Sequence, residues 1–433
     1  MSGRLRRLLG VGFGLAVILG STLGIGILRT PGLVAAQIST RPGILAAWLV
    51  GGLYTLLGSI CFTELGTMLP QAGGYYVYAR RAFGDGVGFA VGWSDWLTYC
   101  AVLGYISIGM AEFIGLLVPR TSGAVRPLAV VLLAALVALQ WLGLRVSSRF
   151  QEWTTALKFG AFLALVLACL VLAGRGGSAA VSSPALAPAT TLIGVVVALQ
   201  SVTVTYGGWQ SALYFTEEDR DPARNLPRSM IGGEALVIVV YMLVNVALLA
   251  VLPVPALARS TLAASDAAQA LVGGRGGEIV TALSLLSLPP ALNAILMIGT
   301  RILFAMGRDG LIWTRAADVN PGGTPTTATV LTTVVAVMLI ATGTFQRLVA
   351  MAAFFLVINY GVCVLGMIAL RRREPGLTRP FRAWGYPWSA GIVFAGAAGF
   401  VAGAIAGDPV NSLAALGLVA AGLAARRLVS SRP

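Results

Sequence analysis

Gly20-Ser21-Thr22-Leu23-Gly24-Ile25-Gly26 interrupts the first long apolar run of the chain. Three glycines in seven residues weaken a helix at the depth where a membrane span depends most on its own hydrogen bonds, because each interior glycine costs roughly 0.5 to 1 kcal/mol relative to alanine. Lipid offers no partner to backbone groups freed there, so irregular backbone at that depth survives only inside protein or against a polar cavity. Two readings of the stretch follow. Gly20 and Gly24 have the GxxxG spacing of a helix-packing face, and the same residues suit a break at a substrate site.

Outward from this stretch, composition sets the class. The chain has 433 residues, of which 57% are hydrophobic and only 11% charged, and its mean hydropathy is +0.86. A soluble domain carries about 25% charged residues, so this is a polytopic membrane protein in contact with a lipid bilayer. The net charge of +14 would fit nucleic acid only if the arginines formed a face, and they sit in small groups between apolar runs, so no nucleic-acid partner is expected. Cys61, Cys100, Cys169 and Cys363 lie within apolar segments without CxxC spacing, which indicates neither a disulfide framework nor a metal site. The chain contains no His, which removes the commonest proton shuttle, metal ligand and triad base. No cofactor is expected.

Spans of about 20 residues fall near 11–36, 43–69, 87–118, 126–144, 153–173, 190–214, 229–252, 279–303, 326–344, 348–370, 386–406 and 410–425. Twelve spans place both ends of the chain on one side. The cationic clusters Arg4, Arg6, Arg7; Arg80, Arg81; Arg220, Arg224, Arg228; Arg371, Arg372, Arg373; and Arg426, Arg427, Arg432 then share that side, while Arg41, Arg120, Arg126, Arg175, Arg259, Arg275 and Arg347 face the other. This bias orients both termini to the cytoplasm, in the cell membrane. Residues 72–86 are too polar and short to span and suit an inner amphipathic or re-entrant segment. The outer stretch Pro253 to Gly277 is long enough for a short surface helix.

Span six carries a second interruption, Thr203-Val204-Thr205-Tyr206-Gly207-Gly208-Trp209-Gln210. It lies five spans after the first. An odd number of crossings per unit inverts the second copy, so residues 11–173 and 190–370 read as inverted repeats, after a leader at 1–10. A packing motif has no reason to recur as a break in the matching helix, whereas a midplane site between two broken helices requires it. Unwinding at 21–26 leaves N–H groups suited to a carboxylate, and carbonyls at the end of the other half-helices suit an ammonium. One site then accepts both ends of an amino-acid zwitterion. Residues 386–425 are two further helices, expected to serve packing or contacts between copies in a homo-oligomer, followed by a tail at 426–433.

Four separated motifs carry a family resemblance. Gly20 to Ile27 is similar to the first-helix signature of the amino acid–polyamine–organocation superfamily of LeuT-type fold. Glu64-Leu65-Gly66, Pro70, Ala72-Gly73-Gly74-Tyr75, Tyr78 and Ala82-Phe83-Gly84 resemble its second-helix and inner-loop signature. Tyr206-Gly207-Gly208-Trp209 with Thr216-Glu217-Glu218 and Asp221 to Arg228 resembles the sixth, and Asn293-Ala294, Arg301 and Phe304 to Gly310 the eighth. The resemblance implies an all-α fold with a 5+5 inverted repeat, broken helices 1 and 6 and twelve transmembrane helices. It implies that a substrate carboxylate is held by the amides of Ser21, Gly24, Ile25 and Gly26, and an amine by the carbonyls of Thr22, Val204, Thr205 and Gly207, with Gln210 beside them. Many relatives carry Ser at the position of Ile25 and an aromatic lid at that of Val204.

Arg149 to Lys158 resembles the sodium-independent branch, in which a fifth-helix lysine stands in for a bound sodium and ties the broken first helix to the eighth. Lys158 is thus the coupling candidate, with snorkelling from about five residues inside span five as the alternative, and its protonation offers a route to proton coupling. Asp95, a carboxylate inside span three, is expected to be paired. Arg29 suits an outer gate or outward snorkelling. Glu64, Glu217, Glu218, Arg301 and Arg308 gather at inner span ends, either as a cytoplasmic gate or as solvated loop charge.

The function expected is secondary active amino-acid transport by alternating access, without sodium, by exchange or proton symport, with spans 1, 2, 6 and 7 moving against the rest. No acidic residue adjoins either break, which favours neutral L-amino acids, and antiport or uniport of cationic amino acids or polyamines is the alternative. An intramembrane enzyme needs a base and a nucleophile at depth, and no convincing pair is present.

Overall fold

The computed structural model describes residues 5–173, 190–343 and 345–430. Arg4, Arg175 and Arg432, with the corresponding parts of the leader and tail, lie outside the described residues. The described chain forms α1 (Val11–Thr22), α2 (Ile25–Ala35), α3 (Arg41–Met68), α4 (Tyr75–Phe83), α5 (Asp85–Leu117), α6 (Val125–Trp141), α7 (Leu144–Ala173) and α8 (Leu192–Thr205). A 3₁₀ helix, Trp209–Phe215, follows. Then come α9 (Pro222–Val251), α10 (Val254–Arg259), α11 (Ala263–Val272), α12 (Gly276–Arg308), α13 (Thr326–Thr342), α14 (Phe345–Arg373), α15 (Trp388–Gly407) and α16 (Pro409–Ser430). Among the described residues, pairing outside helices is limited to isolated bridges such as Leu9 with Asp219.

Helices that are apolar on all sides satisfy their backbone internally and expose only hydrocarbon, which is what a bilayer requires. Nine helical segments among the described residues are long and apolar enough to cross a membrane, ten if the pair α1 and α2, bent by 46°, counts as one span. The helix α13 is apolar but shorter. This is the helix content of a polytopic membrane protein.

The glycine-rich stretch does break its helix. α1 ends at Thr22, Leu23 is extended at ψ 102°, and α2 restarts at Ile25 behind Gly24, also extended at φ −145°. The second interruption ends α8 at Thr205, and the chain resumes as the 3₁₀ helix. Between them Gly208 adopts φ +129°, open to glycine alone at little cost. A Cβ there would stand 2.5 Å from Thr22 Oγ1 and 2.8 Å from Thr22 N. The two breaks therefore meet backbone to backbone.

Helix α1 is central, packing on α7, α9, α12 and the 3₁₀ helix, while α3 lies along α9 and α5 along α12 and α14. Tyr75, at the start of α4, meets the edges or faces of Phe62, Tyr214 and Tyr360 at ring separations of 5.2 to 5.7 Å, contacts worth about 0.5–1.5 kcal/mol each beyond burial. Thus the segment 72–86 forms a short helix whose tyrosines point into the bundle. The stretch from Pro253 to Gly277 folds into two helices, α10 and α11, and α11 buries Ala263, Ala264, Ala267 and Ala268. Helix α7 begins at Leu144, nine residues before the start expected at 153. Lys158 is consequently about 21 Å along its helix at 1.5 Å per residue, far from either end.

Candidate functional site

Beside the paired breaks lies a cavity of about 410 Å³. Ser21, Val204, Gly207, Gly208, Gln210 and Ser211 line it from the break side, and Tyr99, Ile106, Ile295, Leu356 and Tyr360 from α5, α12 and α14. No Asp, Glu, Lys or Arg is among its lining residues. In α3 and α12 the lining positions precede the ion-paired residues. On α3 they are Val50, Gly51 and Tyr54, against Glu64, and on α12 Ile295, against Arg301. The cavity and the ion pairs thus occupy opposite halves of the bundle.

Hydroxyls and backbone groups join the breaks. Ser21 Oγ lies 2.7 Å from Ser211 Oγ, 2.5 Å from Val17 O and 3.3 Å from Gly208 O. The Gln210 side chain turns back so that its Oε1 accepts from Gly208 N at 3.1 Å. Thr30 and Thr205 pair their hydroxyls at 2.8 Å. The Tyr241 hydroxyl on α9 is the bridge between the breaks, 2.7 Å from Thr22 O and 3.0 Å from Thr205 O. Val204 O accepts from Gly207 N at 3.0 Å. Of the carbonyls expected to hold an amine, that of Val204 already has a donor, while those of Thr22 and Thr205 share the single proton of the Tyr241 hydroxyl, so all three keep lone-pair capacity.

The predicted binding residues divide accordingly. Ser21, Val204, Gly207 and Gln210 stand on the cavity wall, and Val204 is 46% exposed there. Thr22 and Thr205 are buried behind it. Gly24 and Ile25 are half-buried and Gly26 is exposed, without belonging to the cavity lining. Gly24 supplies no side-chain cap, so the first-turn N–H groups of α2 keep their capacity to donate.

Lys158 is wholly buried, and its Nζ donates to Gly20 O at 2.8 Å and Ser287 O at 3.0 Å. It links the end of α1 to α12, and a side chain so enclosed is not snorkelling. Next to it, Gln151 and Thr155 donate to Ala16 O at 3.2 and 3.0 Å, and Gln151 Oε1 accepts from Asn293 Nδ2 at 2.9 Å. Helix α7 thus holds α1 from behind.

The remaining charged candidates separate by environment. Asp95 is buried and accepts from the Tyr214 hydroxyl at 2.8 Å. Arg29 is exposed, and its Nε donates to Thr261 O at 3.4 Å, just before α11. Arg301 and Glu218 form a buried two-pronged pair at 3.1 and 3.2 Å. Burial pushes the Glu218 carboxyl above its ordinary range while the Arg301 guanidinium pulls it down. Leu8 N and Leu9 N both donate to Glu218 O at 3.0 Å, which pins the N-terminal segment across this end. Arg308 pairs with Glu217 at 2.7 Å, and Arg80 with Asp309 at 2.7 Å. Glu64 is not part of this set: it pairs with Arg371 and accepts from Ala383 N at 2.6 Å. The packing of α14 against α3 brings Glu64 to Arg371, and no local sequence signal announces it.

Sequence reading did not single out Tyr241, Ser211, Tyr99 or Tyr360. Ser211 sits one residue past Gln210, and its closeness to the break was a usable signal. Tyr241 lies amid apolar residues of α9 and had none.

A family model described as amino acid permease matches residues 14–418. The serine/threonine exchanger of Bacillus subtilis is 26% identical over 397 residues, which cover 90% of this chain and 90% of that protein. The b(0,+)-type amino acid transporter 1 of Oryctolagus cuniculus is 28% identical over 390 residues, 87% of this chain and 79% of its own length. The Asc-type amino acid transporter 1 of Mus musculus is 28% identical over 393 residues, 87% of this chain and 73% of its own.

Proposed function

The chain belongs to the amino acid permease family, and from that premise we propose that it carries neutral L-amino acids across the cell membrane by sodium-independent alternating access. It is a transporter of amino acids and not an enzyme, in keeping with relatives that are all amino acid exchangers or transporters. The observation that carries the finer reading is the pairing of two broken helices, Ser21 against Ser211 and Gly208 against Thr22, beside a cavity without a charged lining residue. Backbone groups at helix ends suit an amino-acid head of either sign, and an uncharged wall penalises a charged side chain that has to shed its water there.

The first and second broken helices are matching members of a 5+5 inverted repeat over 11–173 and 190–370, within twelve spans and with both termini cytoplasmic. In this reading the carboxylate meets the amides of Ser21, Gly24, Ile25 and Gly26, and the amine the remaining lone pairs at Thr22, Val204, Thr205 and Gly207. Lys158 supplies the positive charge that a sodium ion would otherwise bring between α1 and α12. The ion pairs Arg301–Glu218 and Arg308–Glu217 close the cytoplasmic end, with Arg29 at the outer rim. Helices α15 and α16, on the margin of the bundle, serve contacts with lipid or with a second copy.

The test is uptake of a panel of labelled neutral, cationic and polyamine substrates into proteoliposomes, with sodium, the pH gradient and internal substrate varied one at a time. Saturable uptake of neutral amino acids that is indifferent to sodium is expected. Uptake confined to cationic substrates would reverse the substrate assignment, sodium dependence would remove the role given to Lys158, and no uptake by folded protein would end the transporter reading itself.

A further inference from the structure

One carboxyl lies deep in the bundle without a role in the site above. Glu234, on α9, is fully buried. Its Oε1 is in short hydrogen-bond contact with Thr55 Oγ1 on α3, and its Oε2 has no hydrogen-bond partner among the described residues. Gly52 allows this approach of α3 to α9: a Cβ there would stand 2.8 Å from both Ile238 Cγ1 and the Tyr206 hydroxyl.

Among the described residues, no Lys or Arg pairs with it. Tyr206 and Tyr241 are the titratable side chains nearest in the fold, and both hydroxyls are committed, Tyr206 to Trp48 O at 3.2 Å and Tyr241 to the breaks. On α3, Tyr54 donates to Val393 O and Glu64 is held by Arg371, with Cys61 between them. On α7, Lys158 is held by Gly20 O and Ser287 O. Helix α1 has no titratable residue from Val11 to Thr22. In the 3₁₀ helix, Tyr214 serves Asp95. Arg29 of α2 and Asp266 of α11 belong to the opposite, outer rim, and Arg224 and Arg228 to the first turns of α9 itself.

The hydrogen bonds around Thr55 decide the protonation state. Thr55 Oγ1 lies 3.0 Å from Gly52 O as well as against Glu234, and a hydroxyl has one proton to give. If Glu234 carries a proton, its O–H donates to Thr55 Oγ1 while Thr55 donates to Gly52 O, and every donor is used. If Glu234 is ionised, an uncompensated charge sits in a fully buried, low-dielectric place, which is a costly arrangement.

Building on the transporter reading above, we propose that Glu234 is the proton-coupling site of this carrier, a carboxyl that is loaded in the conformation seen here and exchanges its proton when the break at Tyr206–Gly208 rearranges. Tyr206 is the link. Its ring lies tilted at 4.8 Å from that of Tyr241 and 5.9 Å from that of Trp48, and it is joined directly to Gly207 and Gly208 on the cavity wall. Substrate-driven movement of that break uncovers the carboxyl to water, and closure on the other face reseals it. Each cycle then carries one proton with one amino acid.

The experiment uses the full chain in proteoliposomes with labelled serine and labelled leucine, an imposed pH gradient and a pH-sensitive dye inside. One proton per substrate gives about tenfold accumulation per pH unit, because each unit is worth 1.36 kcal/mol. The wild type is expected to approach this ratio and to acidify the vesicle interior during uptake. Glu234→Gln is expected to equilibrate substrate to the same level with and without the gradient. Reading the final ratio rather than the rate makes the result independent of how much protein folds. Accumulation by Glu234→Gln that follows the gradient as the wild type does, or loss of coupling in Asp95→Asn with coupling kept in Glu234→Gln, overturns the proposal. So does wild-type exchange that runs normally and ignores the gradient, which would leave the transporter reading intact. An infrared difference spectrum of the wild type on substrate addition provides a check that needs no variant: the band of a protonated carboxyl should shift, and an unchanged carboxyl region counts against Glu234.

Discussion

Around the breaks, helices meet through hydroxyls and main chain, such as Ser21 with Ser211 and Tyr241 with Thr22 O. At the other end they meet through full charges, Arg301 with Glu218 and Arg308 with Glu217. Neutral hydrogen bonds contribute about 0.5–1.5 kcal/mol each, so the break region can trade its partners for those of a substrate at small cost. A buried ion pair behaves differently: once formed it is closed, and removing either partner strands the other. The difference gives one bundle a soft, exchangeable end at the breaks and an ion-paired end away from them. Lys158 is the exception that joins the two chemistries, a full charge spent on main-chain carbonyls beside the first break.

The comparison can be broken most directly at the buried pair. Arg301→Ala leaves Glu218 buried without a partner and should destabilise the protein by about 3–5 kcal/mol, read as a large fall in the thermal unfolding midpoint of purified protein. The double change Arg301→Met with Glu218→Leu should recover most of that loss, and failure to recover would show that the pair does more than neutralise itself. Next in size is Lys158→Ala, which strips the donor from Gly20 O and Ser287 O. Initial uptake should drop about tenfold or more, equivalent to about 1.4 kcal/mol, and rates close to wild type would detach the lysine from the working of α1.

Gly208→Ala tests the close approach of the breaks. A methyl group 2.5 Å from Thr22 Oγ1, on backbone at positive φ, should cost about 1–3 kcal/mol and raise the half-saturating substrate concentration several-fold. Gly160→Ala on α7, where a Cβ would meet nothing within 4 Å, is the control and should have a much smaller effect. The smallest change is expected from Arg308→Ala. This pair is partly open to water, and such pairs contribute about 0–1 kcal/mol, so stability should hardly move while the balance between inward- and outward-facing states shifts, as read by the accessibility of a cysteine placed in the cavity.

Much of the site was legible because its signals are local. A glycine cluster inside an apolar run weakens a helix wherever it occurs, and a lone lysine in a span must be paired or at an end. Those two facts located the breaks and Lys158, although the sequence placed the start of α7 nine residues late and so left snorkelling open. Charges at span ends were legible as a class, but their partners were not: Glu64 goes to Arg371 and away from Arg301 because α14 packs against α3. Tyr241 and Glu234 left no trace in the pattern, since an aromatic or a single carboxyl in a long apolar helix reads the same whichever neighbour it faces.

By itself the sequence determined that the chain is a multi-span membrane protein with two weakened helices five spans apart, because hydropathy and backbone propensity act over a few residues at a time. Only the tertiary structure decided that the two weak points touch, that Tyr241 stitches them and Lys158 braces them, and that the cavity beside them has an uncharged wall. Those outcomes depend on which faces of distant helices meet, and that is set by the packing of the whole bundle at once.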